Sequence, residues 1–145
     1  MDHMPESKRF FVKVKASNCS GCRTCELVCS EVHGNGVINP KQARICVDVE
    51  HRDNINKPRV CIQCKDQFCM KACPEEAIRL SEKLGIPIVD ETVCTGCREC
   101  VEACKYGFVF FDEIKKVALK CDLCGGEPEC VRSCTVNALA YKEVG

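Results

Sequence analysis

The sequence contains no tryptophan, only six phenylalanines and two tyrosines, and no net charge, since 21 basic residues balance 21 acidic ones over 145 residues. Few aromatics exclude a thick conventional core, because those side chains supply the largest buried areas a small domain has. Balanced, interspersed charge excludes both the basic footprint of a nucleic-acid binder and a polybasic membrane patch, so no nucleic acid is expected as a partner. No stretch approaches the roughly 18 apolar residues of a membrane span, and the eleven residues after Cys134 leave little room for a C-terminal anchor. The opening MDHMPESKRFF has no apolar run of the signal-peptide kind and no twin-arginine leader, which makes the cytoplasm the expected location.

What the sequence has in excess is cysteine, 17 in all, and sixteen of them fall into four tight groups. These are Cys19, Cys22, Cys25, Cys29; Cys61, Cys64, Cys69, Cys73; Cys94, Cys97, Cys100, Cys104; and Cys121, Cys124, Cys130, Cys134. Groups one and three read C-x2-C-x2-C-x3-C, the bacterial ferredoxin run, and groups two and four widen the middle gap. A zinc site would need only four ligands on separated knuckles. A disulfide scaffold fits poorly with an odd count and no secretory leader. The spacing points to 4Fe-4S clusters.

In the ferredoxin run three thiolates curl around one cubane, and the fourth reaches the other cluster of a pair. Groups therefore come in twos, and four groups imply four 4Fe-4S clusters. Because cysteine supplies much of the 46% hydrophobic content, the metal-free polypeptide has too little apolar side chain to fold, and cluster insertion is expected to be coupled to folding.

Alternating Phe10, Val12 and Val14 with Lys13 and Lys15 in RFFVKVKA predicts a half-buried strand. Further strands are predicted at Ala43–Val49, Pro87–Val89, Phe108–Phe111, Val117–Leu119 and Leu139–Tyr141, and helical turns at Arg98–Cys104 and Glu129–Cys134. CPEEAIRL, CKYGFVFF and CTVNALAY share one shape: fourth cysteine, turn, apolar strand. The first group departs from it with a 31-residue insertion before Cys61. Only 20 residues separate Cys73 from Cys94, so groups two and three form the natural inner pair and groups one and four the outer one. The expected fold is α+β, two nested ferredoxin-like two-cluster units: residues 1–55 plus 112–145 outside, 56–111 inside. Sequential pairing is the alternative, and the long insertion argues against it.

The group order, with C-x2-C-x4-C-x3-C-P second and KCDLCGGEPECVRSC fourth, resembles the four-cluster electron-transfer subunits of the dimethyl sulfoxide reductase type. CSGCRTCELVCSEVHGNGVINPKQARI is similar to the small ferredoxin-like subunits of carbon monoxide dehydrogenase, of hydrogenases and, most closely, of tungsten enzymes of the aldehyde oxidoreductase family, including the benzoyl-coenzyme A reductase version. The resemblance covers nearly the whole sequence. It implies one cluster on Cys19, Cys22, Cys25 and Cys134 and a second on Cys29, Cys121, Cys124 and Cys130. The inner pair would sit on Cys61, Cys64, Cys69 and Cys104, and on Cys73, Cys94, Cys97 and Cys100.

A cubane with four thiolates has no open position for substrate, and the sequence carries no C-x3-C-x2-C radical motif, phosphate loop or nucleophile arrangement. A non-catalytic wire is expected, relaying single electrons between a larger catalytic metalloenzyme subunit, of molybdenum, tungsten, carbon monoxide dehydrogenase or hydrogenase type, and an external donor or acceptor. The alternative is a freely diffusing polyferredoxin, against which the lack of an acidic excess speaks. Cys46 is read as a small buried hydrophobe and not a ligand, His33 and His51 as surface or capping residues, and Lys13, Lys15, Lys115 and Lys116 as solvated strand edges. The insertion is a candidate docking surface.

Overall fold

The computed structural model describes residues 9–50 and 52–144, so the expectation for His51 lies outside the described residues. β1 (Arg9–Val14) leads through the first cysteine loop into α1 (Thr24–His33). β2 (Ile45–Glu50) and β3 (Ile55–Val60) make a hairpin inside the insertion. α2 (Phe68–Ala72) precedes the hairpin of β4 (Ile78–Leu80) and β5 (Pro87–Val89). α3 (Glu99–Ala103) precedes that of β6 (Phe110–Asp112) and β7 (Val117–Leu119), and α4 (Glu129–Ser133) leads to β8 (Leu139–Val144). The strand, loop, helix order read from the sequence is thus present. β3 is not among the expected strands, because Pro58 interrupts its pattern; opposite Val47 in a two-stranded ladder, proline is tolerated.

β1 does not pair with a sequence neighbour. Its partner is β8, antiparallel from Arg9↔Val144 to Val14↔Leu139, with the Phe10 and Tyr141 rings stacked at 4.9 Å. Inside this outer ribbon α1 packs on α4, while α2 packs on α3. The hairpins β2–β3 and β6–β7 straddle the two lines drawn between outer and inner segments, at 55/56 and 111/112.

Every ladder among the described residues has two strands, and three of the four α-helices have five residues. Neither kind of element is stable alone. The apolar side chains that join them are few and share the interior with cysteine. One core gathers Val12, Ile45, Val60, Ile86, Leu123 and Leu139 around Cys29, Cys61, Cys121 and Cys130. The other sets Ile78, Val109 and Ala118 around Cys69 and Cys100.

The short helices stop where the fourth cysteine of each group begins, with Cys73, Cys104 and Cys134 in extended backbone. Pro74 enforces this for Cys73, since a residue before proline avoids the helical region; Lys105 and Thr135 reach the same geometry without it. α1 is the exception, running through Cys29 to His33 and stopping at Gly34.

A left-handed residue precedes the second cysteine of every group: Gly21 at φ 76°, Gln63 at 52°, Gly96 at 78° and Leu123 at 56°. Gly96 has the least room, for a Cβ there would stand 2.5 Å from the Lys116 carbonyl oxygen, whereas at Gly125 it would meet nothing within 4 Å. Gly96→Ala is therefore expected to lower stability by more than about 1 kcal/mol, and by more than Gly125→Ala, which shares only the positive φ. Thermal unfolding of the two variants compares them, and equal losses would remove the clash as the cause.

Candidate metal centres

Each C-x2-C loop carries a left-handed turn, the backbone form that builds concave amide nests for anions, and in the second loop the Gln63 N–H donates to Cys61 Sγ at 3.3 Å. A second left-handed residue stands two before the third cysteine in groups one to three, at Arg23, Gln67 and Arg98. A third stands three after the fourth cysteine, at Glu76, Gly107 and Asn137. The last turn aims an amide back at the sulfur: Ala77 N–H donates to Cys73 Sγ and Ala138 N–H to Cys134 Sγ, each at 3.3 Å. Group one solves the same problem differently. Because α1 continues past Cys29, the amide reaching Cys29 Sγ is that of Arg44, at 3.2 Å, delivered by the returning insertion. The insertion is held there by Asn39 N–H donating to Ser30 Oγ and Ser30 Oγ–H donating to the Leu27 carbonyl.

Two cavities open among these loops. One is lined by Cys19, Cys22, Cys25 and Cys134, with Val47, Pro58 and Leu139 as apolar walls. The other is lined by Cys61, Cys64, Cys69 and Cys104, beneath Phe68, Tyr106 and Phe108. In each, three thiols come from one group and the fourth from a distant one.

The remaining cysteines disclose their neighbourhoods through their electrostatics. Burial pushes Cys100 up to about 12, and the sulfurs of Cys94, Cys69, Cys73 and Cys97 add to it. Burial likewise takes Cys130 to about 12, reinforced by Cys29, Cys124 and Cys25. Cys25 rises to about 12 mainly by burial, and Cys29, Cys69, Cys121 and Cys124 rise for the same first reason. Cys22 differs: it is exposed, and hydrogen bonds from Thr24 lower its thiol. Cys97 is exposed as well. Cys46 lines neither cavity, and burial raises its thiol.

Three polar features join segments far apart in the sequence. His33 takes the capping role of the two expected for it, at the end of α1: its Nδ1 lies 2.8 Å from the Cys29 carbonyl and its Nε2 2.9 Å from Asp122 Oδ1. Asp122 Oδ1 also accepts the Cys124 amide at 2.9 Å. His33 so clamps the end of α1 to the fourth cysteine loop, and the His33, Asp122 and Cys124 donor atoms lie within 4.8 Å of one another. Arg44 is buried between Asp122 and Glu91. Lys120 is buried beside Gln63. Their contacts span 47 to 89 positions of sequence and no local pattern marks them.

The donor chemistry fits 4Fe-4S clusters. Both cavities offer four sulfur atoms and apolar walls, with no carboxylate or imidazole among the lining residues. Tetrathiolate sites so enclosed leave substrate no position on iron.

Comparison with known proteins agrees. The 4Fe-4S dicluster domain family matches residues 52–144, and a 4Fe-4S binding domain matches residues 16–32. The polyferredoxin-like subunit of aliphatic sulfonate oxidoreductase from Pyrococcus furiosus is 41% identical over 88% of this sequence and 72% of its own length. The B subunit of anaerobic dimethyl sulfoxide reductase from Escherichia coli is 34% identical over 88% of this sequence and 70% of its own. Among solved structures, the active site complex BamBC of benzoyl coenzyme A reductase with benzoyl-CoA aligns with a TM-score of 0.55 at 26% identity, covering 94% of this protein and 82% of that one.

Proposed function

We propose, from the premise that this protein belongs to the 4Fe-4S dicluster family of iron-sulfur electron-transfer subunits, that it is the four-cluster wire of a cytoplasmic oxidoreductase complex. The ligand sets we assign are Cys19, Cys22, Cys25, Cys134; Cys29, Cys121, Cys124, Cys130; Cys61, Cys64, Cys69, Cys104; and Cys73, Cys94, Cys97, Cys100. The observation that carries this assignment is the cavity in which Cys134 joins Cys19, Cys22 and Cys25. It favours the nested division into residues 1–55 plus 112–145 and 56–111, as do the β1–β8 ribbon and the α1–α4 and α2–α3 contacts.

Bound in these sites, 4Fe-4S clusters supply one-electron chemistry. The polypeptide contributes the rest. Its thiols hold the iron, its left-handed turns aim amides at sulfur, and Phe68, Tyr106 and Phe108 keep water from one cavity. Exposed Cys22 and Cys97 bring two ligand loops to the surface, where electrons enter and leave. Among the described residues no helix is long and apolar enough to cross a membrane; free thiols in this number suit the reducing cytoplasm.

The partner is a larger catalytic metalloenzyme subunit, of the molybdenum or tungsten kind that the sequence resemblance implies, a reading supported by relatives named as parts of oxidoreductases, with a second redox protein at the other end of the wire. Val37 and Ile38, 65% and 53% exposed in the segment just after α1, are the apolar contact we assign to it. The double change Val37→Asp, Ile38→Asp is expected to abolish stoichiometric copurification with the larger subunit while iron and sulfide stay at wild-type levels. A wild-type protein that always eluted alone would favour the diffusible polyferredoxin instead.

A further inference from the structure

Lys120 stands between the last residue of β7 and the ligand Cys121, and its side chain turns inward, leaving it 3% exposed. Its Nζ donates to Gln63 Oε1 at 2.7 Å and reaches the Cys121 carbonyl at 3.4 Å. Gln63 is itself 1% exposed; its side-chain amide donates to the same Cys121 carbonyl at 2.9 Å and its backbone N–H to Cys61 Sγ at 3.3 Å. The pair thus ties the second cysteine loop to the fourth, a buried polar bridge between a loop of the inner unit and a loop of the outer one. Lys120 also lines the cavity of Cys61, Cys64, Cys69 and Cys104.

Among the described residues no carboxylate lies within 4 Å of Lys120. A buried cation without an anion is costly, and buried charges are ordinarily paired. The counter-charge here is sulfur. Lys120 stands against ligands on either side by position: it lines the cavity of Cys61, Cys64, Cys69 and Cys104, and its Nζ lies 3.4 Å from the carbonyl of Cys121. Four thiolates outweigh the charge of the iron-sulfide core they hold, and each added electron makes the assembly more anionic. A fixed cation in low dielectric therefore favours the reduced state.

Resting on the ligand assignment above, we propose that Lys120, held by Gln63, is a positioning residue for electron transfer: a buried cation shared by the Cys61, Cys64, Cys69, Cys104 site and the Cys29, Cys121, Cys124, Cys130 site. It stabilises the reduced form of both and so raises together the potentials between which an electron passes from one unit to the other. One electron leaves one site and arrives at the other; no bond forms and no proton moves.

The test is a potentiometric titration of the cluster-loaded protein, followed by electron paramagnetic resonance, with iron and sulfide measured on the same samples. In Lys120→Met, two of the four transitions should show a reduced-to-oxidised ratio lowered about tenfold at fixed potential, or ~59 mV for a one-electron couple, with metal content unchanged. Gln63→Glu, which sets a carboxylate against the ammonium, should move the same two transitions in the same direction, and Lys120→Arg should restore most of the ratio. Full metal content with all four transitions at wild-type positions, or one common shift of all four, overturns the proposal. Should Lys120→Met lose iron, the titration of Gln63→Glu decides in the same way; iron loss in both makes Lys120 a structural support and also overturns it. Failure of the ligand assignment would show separately, as wild-type protein without four clusters.

Discussion

Stripping the iron from the purified protein is expected to abolish its cooperative fold, with loss of native circular dichroism and no sigmoidal melt. Two-stranded ribbons and five-residue helices do not persist unaided. The cores they share are built partly from Cys29, Cys61, Cys69, Cys100, Cys121 and Cys130, all of them buried. Without iron those sites become voids facing thiols, and the loss exceeds the few kcal/mol by which a domain this size is ordinarily stable, about 5–15 kcal/mol. The pH dependence of reloading has a definite sign. Iron binds thiolate, so each ligand surrenders a proton, and reconstitution should go further at about pH 8.5 than at about pH 6.5. Any folded metal-free population has the opposite dependence: Cys25, Cys100 and Cys130, lifted by burial to about 12, contribute stability that is fully present below the ordinary thiol value and is lost as pH climbs toward 12. A chelated sample that kept its spectrum and its melt would contradict this account.

The second large effect concerns a single sulfur. Cys134→Ala is expected to remove about a quarter of the iron and to extinguish the same paramagnetic signal that Cys22→Ala extinguishes, because both thiols line one cavity. Cys104→Ala should in turn reproduce Cys64→Ala, its neighbour in the other cavity. Sequential pairing predicts a different result, with Cys134→Ala behaving like Cys97→Ala. Comparing signals within this set of variants separates the two schemes without reference to any catalytic partner.

Cysteine spacing made the two thiol-lined cavities legible because three of the four thiols in each lie within one loop and short helix, the spacing a cubane requires. The strands at Arg9–Val14, Pro87–Val89 and Val117–Leu119 were legible for a similar reason, being short apolar runs that adjoin cysteine loops. The insertion was less so. The extension of α1 from Cys29 to His33 depends on the ring of His33 reaching Asp122, 89 positions away. β3 depends on β2 to tolerate Pro58. Lys120 reads as a surface lysine until Gln63, 57 positions distant, accepts its hydrogen bond. Interactions of that range leave no periodicity to detect.

The β1–β8 ribbon also imposes an order of manufacture. A ribosome releases β1 long before β8, so the thiols of Cys19, Cys22 and Cys25 wait, open to oxidants, until nearly all of these residues have been translated. The hairpins between them can close during synthesis. With Cys134 assigned to the first site, that site is expected to close only once the fourth cysteine group and β8 have been made.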